Sequence, residues 1–156
     1  MNLGKKLIVL FVLILLPVKT YSFENKILFK VNDRIITSVD ILNETKFLGL
    51  INKNFVNLDQ FQKFEIAKNS IIKERVKENE LKKIFKELKI DKEYLNEVII
   101  DYFSKFKINS LEKIKELLDN NNLEIERIKK KITIQVLWNQ LIFNKFSDSV
   151  KINKQS

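Results

Sequence analysis

Two pairs of carboxylates are spaced for chemistry: Glu74 with Glu78, and Glu112 with Glu116, each four residues apart and therefore on one face of a helix. Such a pair could act as acid and base if its proton affinities were driven apart. Here the glutamates alternate with Lys73, Lys77, Lys113 and Lys115, a pattern that reads as solvated helix faces with ordinary ion pairs. The chain has no histidine and no cysteine. That removes the commonest general base, the thiol nucleophile, zinc's imidazole and thiolate ligands, and any disulfide. Of its two glycines, Gly4 lies in the N-terminal apolar segment and Gly49 near a helix end. No glycine-rich loop can wrap a phosphate, and no carboxylate spacing suits a calcium loop. The expectation is a protein without catalytic residues, cofactor or metal.

Aromatic residues are the more informative group. Twelve Phe, three Tyr and the single Trp138 exceed what a core of this size has room for. Exposed apolar patches rimmed by polar groups mark binding surfaces. Phe61, Phe64, Tyr102, Phe103, Phe106 and Trp138 are the candidate contacts for an extended polypeptide, with Phe143 and Phe146 further along the last helix. An edge of the N-terminal hairpin is a second route by which an extended chain could be held.

The elements that must position these residues begin after an export segment. Lys5 and Lys6 precede an apolar run, Leu7 to Leu16, then Pro17 and a polar stretch ending Thr20-Tyr21-Ser22. The run is about ten to twelve residues, short of the roughly twenty that span a bilayer, and small residues at Thr20 and Ser22 place cleavage between Ser22 and Phe23. Residues 1–22 thus read as a signal peptide, 23–146 as one domain and 147–156 as a polar flexible tail. No later run is long enough to span a membrane. The formal charge of +9 falls to about +6 without Lys5, Lys6 and Lys19, a sign that suits an acidic or anionic partner. Richness in Lys, Asn, Ile and Phe, as A/T-rich codons dictate, also accounts for it. Nucleic acid is not expected, because export conflicts with it and no reading motif is present.

From Asn25 the text alternates Ile27, Phe29 and Val31 against Lys26, Leu28 and Lys30, turns at Asn32-Asp33-Arg34 and returns over Ile35-Ile36-Thr37: a β-hairpin. An isolated hairpin is marginal in water and must pack on something. Helices follow. Ser38 opens one to about Leu50, and Asn57 with Gln60 opens a long one through Phe61, Phe64, Ala67, Ile71, Ile72 and Val76, continuing by way of Leu81 and Ile84 to Leu88. Asp91 caps a helix carrying Tyr94, Leu95, Val98, Ile99, Tyr102, Phe103 and Phe106. Asn109 with Glu112 starts a short helix to Leu118, and Leu123 to Phe146 is the last, its inward face running from Ile125 to Ile142. The fold class is mainly α: a hairpin followed by about five helices.

The segment V-N-D-R-I-I-T-S-V-D, Val31 to Asp40, resembles the opening of the SurA-type periplasmic chaperones. The likeness continues in order through I-I-K-E-R-V (Ile71 to Val76), E-L-K-I-D (Glu87 to Asp91) and I-K-K-K-I-T-I-Q-V-L (Ile128 to Leu137). What the resemblance implies is the fold of the SurA N-terminal domain and a periplasmic, ATP-independent holdase for unfolded outer-membrane proteins. Family members usually continue into parvulin-type prolyl isomerase domains and a C-terminal return segment, neither of which follows here. That departure carries over no isomerase residue, and the expectation it raises is self-association, a separate partner that completes the domain, or an incomplete version of a longer protein. Two other readings accompany it: part of a prolyl isomerase, and an envelope interaction subunit with one fixed partner.

Overall fold

The computed structural model describes residues 25–147. The expected signal segment, its expected cleavage point between Ser22 and Phe23, and the expected tail beyond 147 lie outside the described residues. Strands β1 (Ile27–Val31) and β2 (Arg34–Thr37) are followed by helices α1 (Ser38–Ile51), α2 (Lys53–Val56), α3 (Gln60–Lys82), α4 (Lys92–Ser104), α5 (Leu111–Asn120) and α6 (Ile125–Phe146). The molecule is mainly helical with a small antiparallel hairpin at its N-terminal end, as the sequence pattern predicts.

The hairpin turns on Asn32-Asp33 alone, with Arg34 already paired to Val31. Asn32 takes a left-handed φ of 51°, which asparagine tolerates better than most residues. Ile27 pairs with Thr37 but Phe29 with Ile36, so Leu28 is an extra residue in the ladder. That bulge breaks the expected common face of Ile27, Phe29 and Val31: Phe29 and Val31 pack inward while Ile27 is exposed. Phe29 meets Phe64 of α3 with ring centroids 6.2 Å apart, and Ile36 is buried with Ile41, Ala67 and Ile71. The hairpin therefore gains the helical support that it lacks alone.

Five of the six described helices start at a side chain that reaches the third backbone N–H, and α6, which begins after Glu124, has no such cap. Thr37, not Ser38, caps α1: its hydroxyl accepts from the Asp40 N–H while the Asp40 carboxylate accepts from the Thr37 N–H. Ser38 Oγ instead accepts from the Lys26 N–H. Asp59 with Gln62 caps α3, two residues after the expected Asn57, which closes the single turn α2. That turn, capped by Asn52, is the helix the periodicity missed, and it buries Phe55. Asp91 caps α4 as expected, and Ser110 rather than Asn109 caps α5. Helices α4 and α5 end alike. Ile108 N–H bonds Phe103 O and Leu123 N–H bonds Leu118 O, across left-handed Lys107 and Asn122. The second closure swings Leu123 into the core.

The long helix stops at Lys82, short of the expected Leu88. The chain between α3 and α4 then doubles back, packing Phe85, Leu88 and Ile90 against Leu81, Ile134 and Leu137. A continued helix would have kept Phe85 and Leu88 on the face of Leu81 but turned Ile90 to the opposite side. Two further apolar clusters complete the core. Phe47, Ile99, Phe103, Ile114, Leu118 and Ile128 join α1, α4, α5 and α6, while Ile36, Ile41, Ala67 and Ile71 join the hairpin, α1 and α3. Val76, expected inward on α3, and Ile142, expected inward on α6, are exposed.

Candidate functional site

Helix α4 carries more apolar surface than one interface consumes. Leu95, Ile99 and Phe103 pack into the core, while Tyr94, Val98 and Tyr102, one residue behind at the same four-residue spacing, form the wall of a groove. Helix α6 is its floor, through Ile132, Val136, Asn139 and Phe143, and α3 supplies the facing rim through Ser70, Lys73, Glu74 and Lys77. The inner part is a cleft of about 360 Å³, closed behind by Phe47 of α1. A shallower continuation past Ile90, Tyr94 and Phe143 meets it at Val136 and Asn139, which line both. From Ile132 to Phe143 the floor is about 16 Å long at 1.5 Å per residue, room for about five residues of extended chain. Its outer end is open: Tyr94 is 50% exposed and Phe143 71%.

An ionic junction holds the groove's rim against its floor. Glu44 of α1, only 1% exposed, accepts from Ser70 Oγ at 2.6 Å and from Lys131 Nζ at 2.8 Å. Lys131 also reaches Glu74 at 3.0 Å and lies over the Phe47 ring, 5.7 Å from its centroid. Next to it Glu78, 4% exposed, gathers Lys82 (2.8 Å), Arg75 (3.1 Å), Lys130 (3.3 Å) and Arg34 of the hairpin (3.5 Å). Burial alone would raise the Glu78 carboxyl. The hydrogen bond from Lys82 and the charges of Lys130 and Lys82 outweigh burial and hold it down to about 2. Arg127 binds the Asp40 carboxylate at 3.2 Å and its carbonyl oxygen at 3.3 Å, tying α6 to α1. Glu74 and Glu78 are thus not the solvated face that their lysine neighbours suggested. Glu78 is buried and Glu74 partly buried at a junction between α1, α3 and α6. Glu112 and Glu116 are exposed as expected. The cationic run Lys129 to Lys131 is likewise consumed by Glu126, Glu78, Glu44 and Glu74.

The six aromatics singled out from sequence do not form one surface. Tyr102 lines the cleft, stacked on Phe47 at 6.4 Å, its hydroxyl pushed up by burial and by the nearby Glu44 charge. Trp138 lies half-buried against the Leu81 cluster, with Lys77 Nζ 6.0 Å from its ring centroid. Phe103 is 1% exposed, fills the core and offers no surface to a partner. Phe106 leans edge-on against Phe103 at the end of α4. Phe61 stands 73% exposed at the start of α3, and Phe64 lines a separate depression with Leu28 and Leu42. The groove residues that the sequence reading did not separate from the core are Tyr94, Val98 and Val136, whereas Phe143 was among the aromatics it singled out. Their signal was present in the Tyr94, Val98, Tyr102 spacing.

No family model, curated protein or solved structure matches this chain. Among the described residues no helix is long and apolar enough to cross a membrane.

Proposed function

We propose that this protein is a non-enzymatic, ATP-independent holdase that acts in the periplasm on unfolded outer-membrane proteins, as the resemblance of its sequence to SurA-type chaperones implies. The observation that carries the reading is the groove along α6: apolar walls, polar rims and an open end, long enough for about five extended residues. Such a groove suits a weak, general grip on extended polypeptide. Apolar side chains of the client take up the surface of Tyr94, Val136 and Phe143, while Gln135, Asn139 and Gln140 can bond its backbone. Release needs no nucleotide, since a grip of this size dissociates by mass action. The hairpin, the helices after it and the capped start at Asp91 are compatible with the domain that the resemblance implies.

Light scattering tests the reading. A denatured outer-membrane barrel protein is diluted into nucleotide-free buffer with increasing amounts of the purified protein. Scattering should fall as the protein approaches a few-fold molar excess. Combined Tyr94→Ser and Phe143→Ser substitutions should raise the amount needed by at least about threefold. They should leave stability within about 0.5 kcal/mol, because both side chains are largely exposed. Unchanged scattering with folded protein would overturn the reading. In that event, capture of one stoichiometric envelope protein would put a fixed-partner subunit in its place.

A further inference from the structure

The charges along the groove are not balanced. Glu74 and Glu44 are satisfied by Lys131, and Glu74 also by Arg75 at 3.7 Å. Lys73 and Lys77, one turn apart on the α3 rim, form no ion pair among the described residues. Lys77 Nζ instead donates to the neutral amide oxygen of Gln135 at 2.6 Å and lies over Trp138. Desolvation, then the like charges of Lys131 and Lys73, push the Lys77 ammonium down from its ordinary value, and Glu74 offsets this only in part. Three ammonium groups therefore converge on one apolar cleft that holds a single carboxylate of its own, and that carboxylate is already bound.

We infer that the groove selects acidic, aromatic-rich segments: a client carboxylate seats between Lys73 and Lys77 while the flanking apolar side chains lie along Val98, Val136 and Phe143. The inference rests on the groove being the polypeptide site proposed above, and adds what that site prefers. An incoming carboxylate replaces the contact to the neutral Gln135 oxygen with an ion pair and relieves the repulsion among the three lysines. An amide in its place can do neither, and an ammonium would add a fourth positive charge. The remaining basic residues of the rim already have carboxylate partners, so the preference is localised to one turn of α3.

Binding of three labelled, end-capped eight-residue peptides to the purified protein tests this by fluorescence anisotropy. Each has two phenylalanines flanking a central aspartate, asparagine or lysine. Trp138, the chain's single tryptophan, reports occupancy beside Lys77 through its emission. The aspartate peptide should bind roughly three- to tenfold more tightly than the asparagine one, with the lysine peptide weakest. The advantage should shrink as salt is raised. In a Lys73→Gln, Lys77→Gln double variant the aspartate and asparagine peptides should bind alike, at the wild-type asparagine affinity. Equal affinity for all three peptides on the wild-type protein, with aggregation suppression intact, would overturn the charge preference and leave the holdase reading standing. Loss of suppression together with absence of peptide binding would overturn both. A Trp138 response to anionic lipid vesicles but to none of the peptides would assign the two lysines to a membrane surface, and would also overturn the inference.

Discussion

Glu78 is the residue on which most of the charge arrangement turns. Four cations from β2, α3 and α6 converge on one almost fully buried carboxylate, and the buried Arg75 Nε beside it has no hydrogen-bond partner among the described residues. Removing the charge leaves those cations unbalanced, which costs more than the pair itself contributes. Glu78→Gln should lower stability by about 2 to 3 kcal/mol, read from urea unfolding monitored by circular dichroism. The pH dependence follows from the same residue. The folded value near 2 lies below the ordinary 4.5, so Glu78 contributes stability that is present above 4.5 and lost as pH falls toward 2. Asp40 acts in the same direction: burial raises its carboxyl, but the Thr37 backbone and hydroxyl and Arg127 outweigh burial and lower it. Wild-type stability should therefore drop between about pH 5 and pH 2, and the Glu78→Gln variant should show a shallower drop. An equal slope in both proteins would remove Glu78 as the cause.

At the scale of elements, helix starts were legible to within one or two residues, because a cap is a local event. Asp91 and its partner Tyr94 N–H could be read directly, whereas the Asn57 and Gln60 spacing competed with Asp59 and Gln62 two residues on, and the box with the charged Asp59 cap won. Asp59→Ala should cost about 1 kcal/mol and Asn57→Ala less than half of that, measured by thermal or denaturant unfolding. Which stripe of a helix is covered is not a local event. On α4 the stripes Tyr94, Val98, Tyr102 and Leu95, Ile99, Phe103 look equally apolar in sequence. Only the position of α6 decides that the second is core and the first a groove wall. The same reason hid the ionic junction. Glu44, Glu74 and Lys131 lie far apart along the chain, and Ser70, Arg34 and Lys130 carry no pattern that announces their partners. The short helix α2 and the returning stretch between α3 and α4 escaped periodicity because neither is long enough to show one.

At the scale of the whole molecule, a small helical body carries an open apolar groove, and the sequence predicts an export segment ahead of it. Intact mass of the protein recovered from the export compartment should correspond to a chain beginning at Phe23, and retention of residues 1–22 would contradict the signal-peptide expectation. The ionic junction and the groove share Ser70, Glu74 and Lys131, so rigidity of the three-helix joint and shape of the binding surface are set by the same side chains. The most direct test of the central claim is site-specific photo-crosslinking to an unfolded outer-membrane barrel protein. A photoreactive residue is placed at Phe143 on the groove floor or at exposed Lys115 on α5, a helix that lines no part of the groove. The groove reading predicts abundant client adducts from position 143, few from position 115, and loss of the former when excess unlabelled client is added. Equal adducts from both positions, or none from 143 while the protein remains folded, would contradict it.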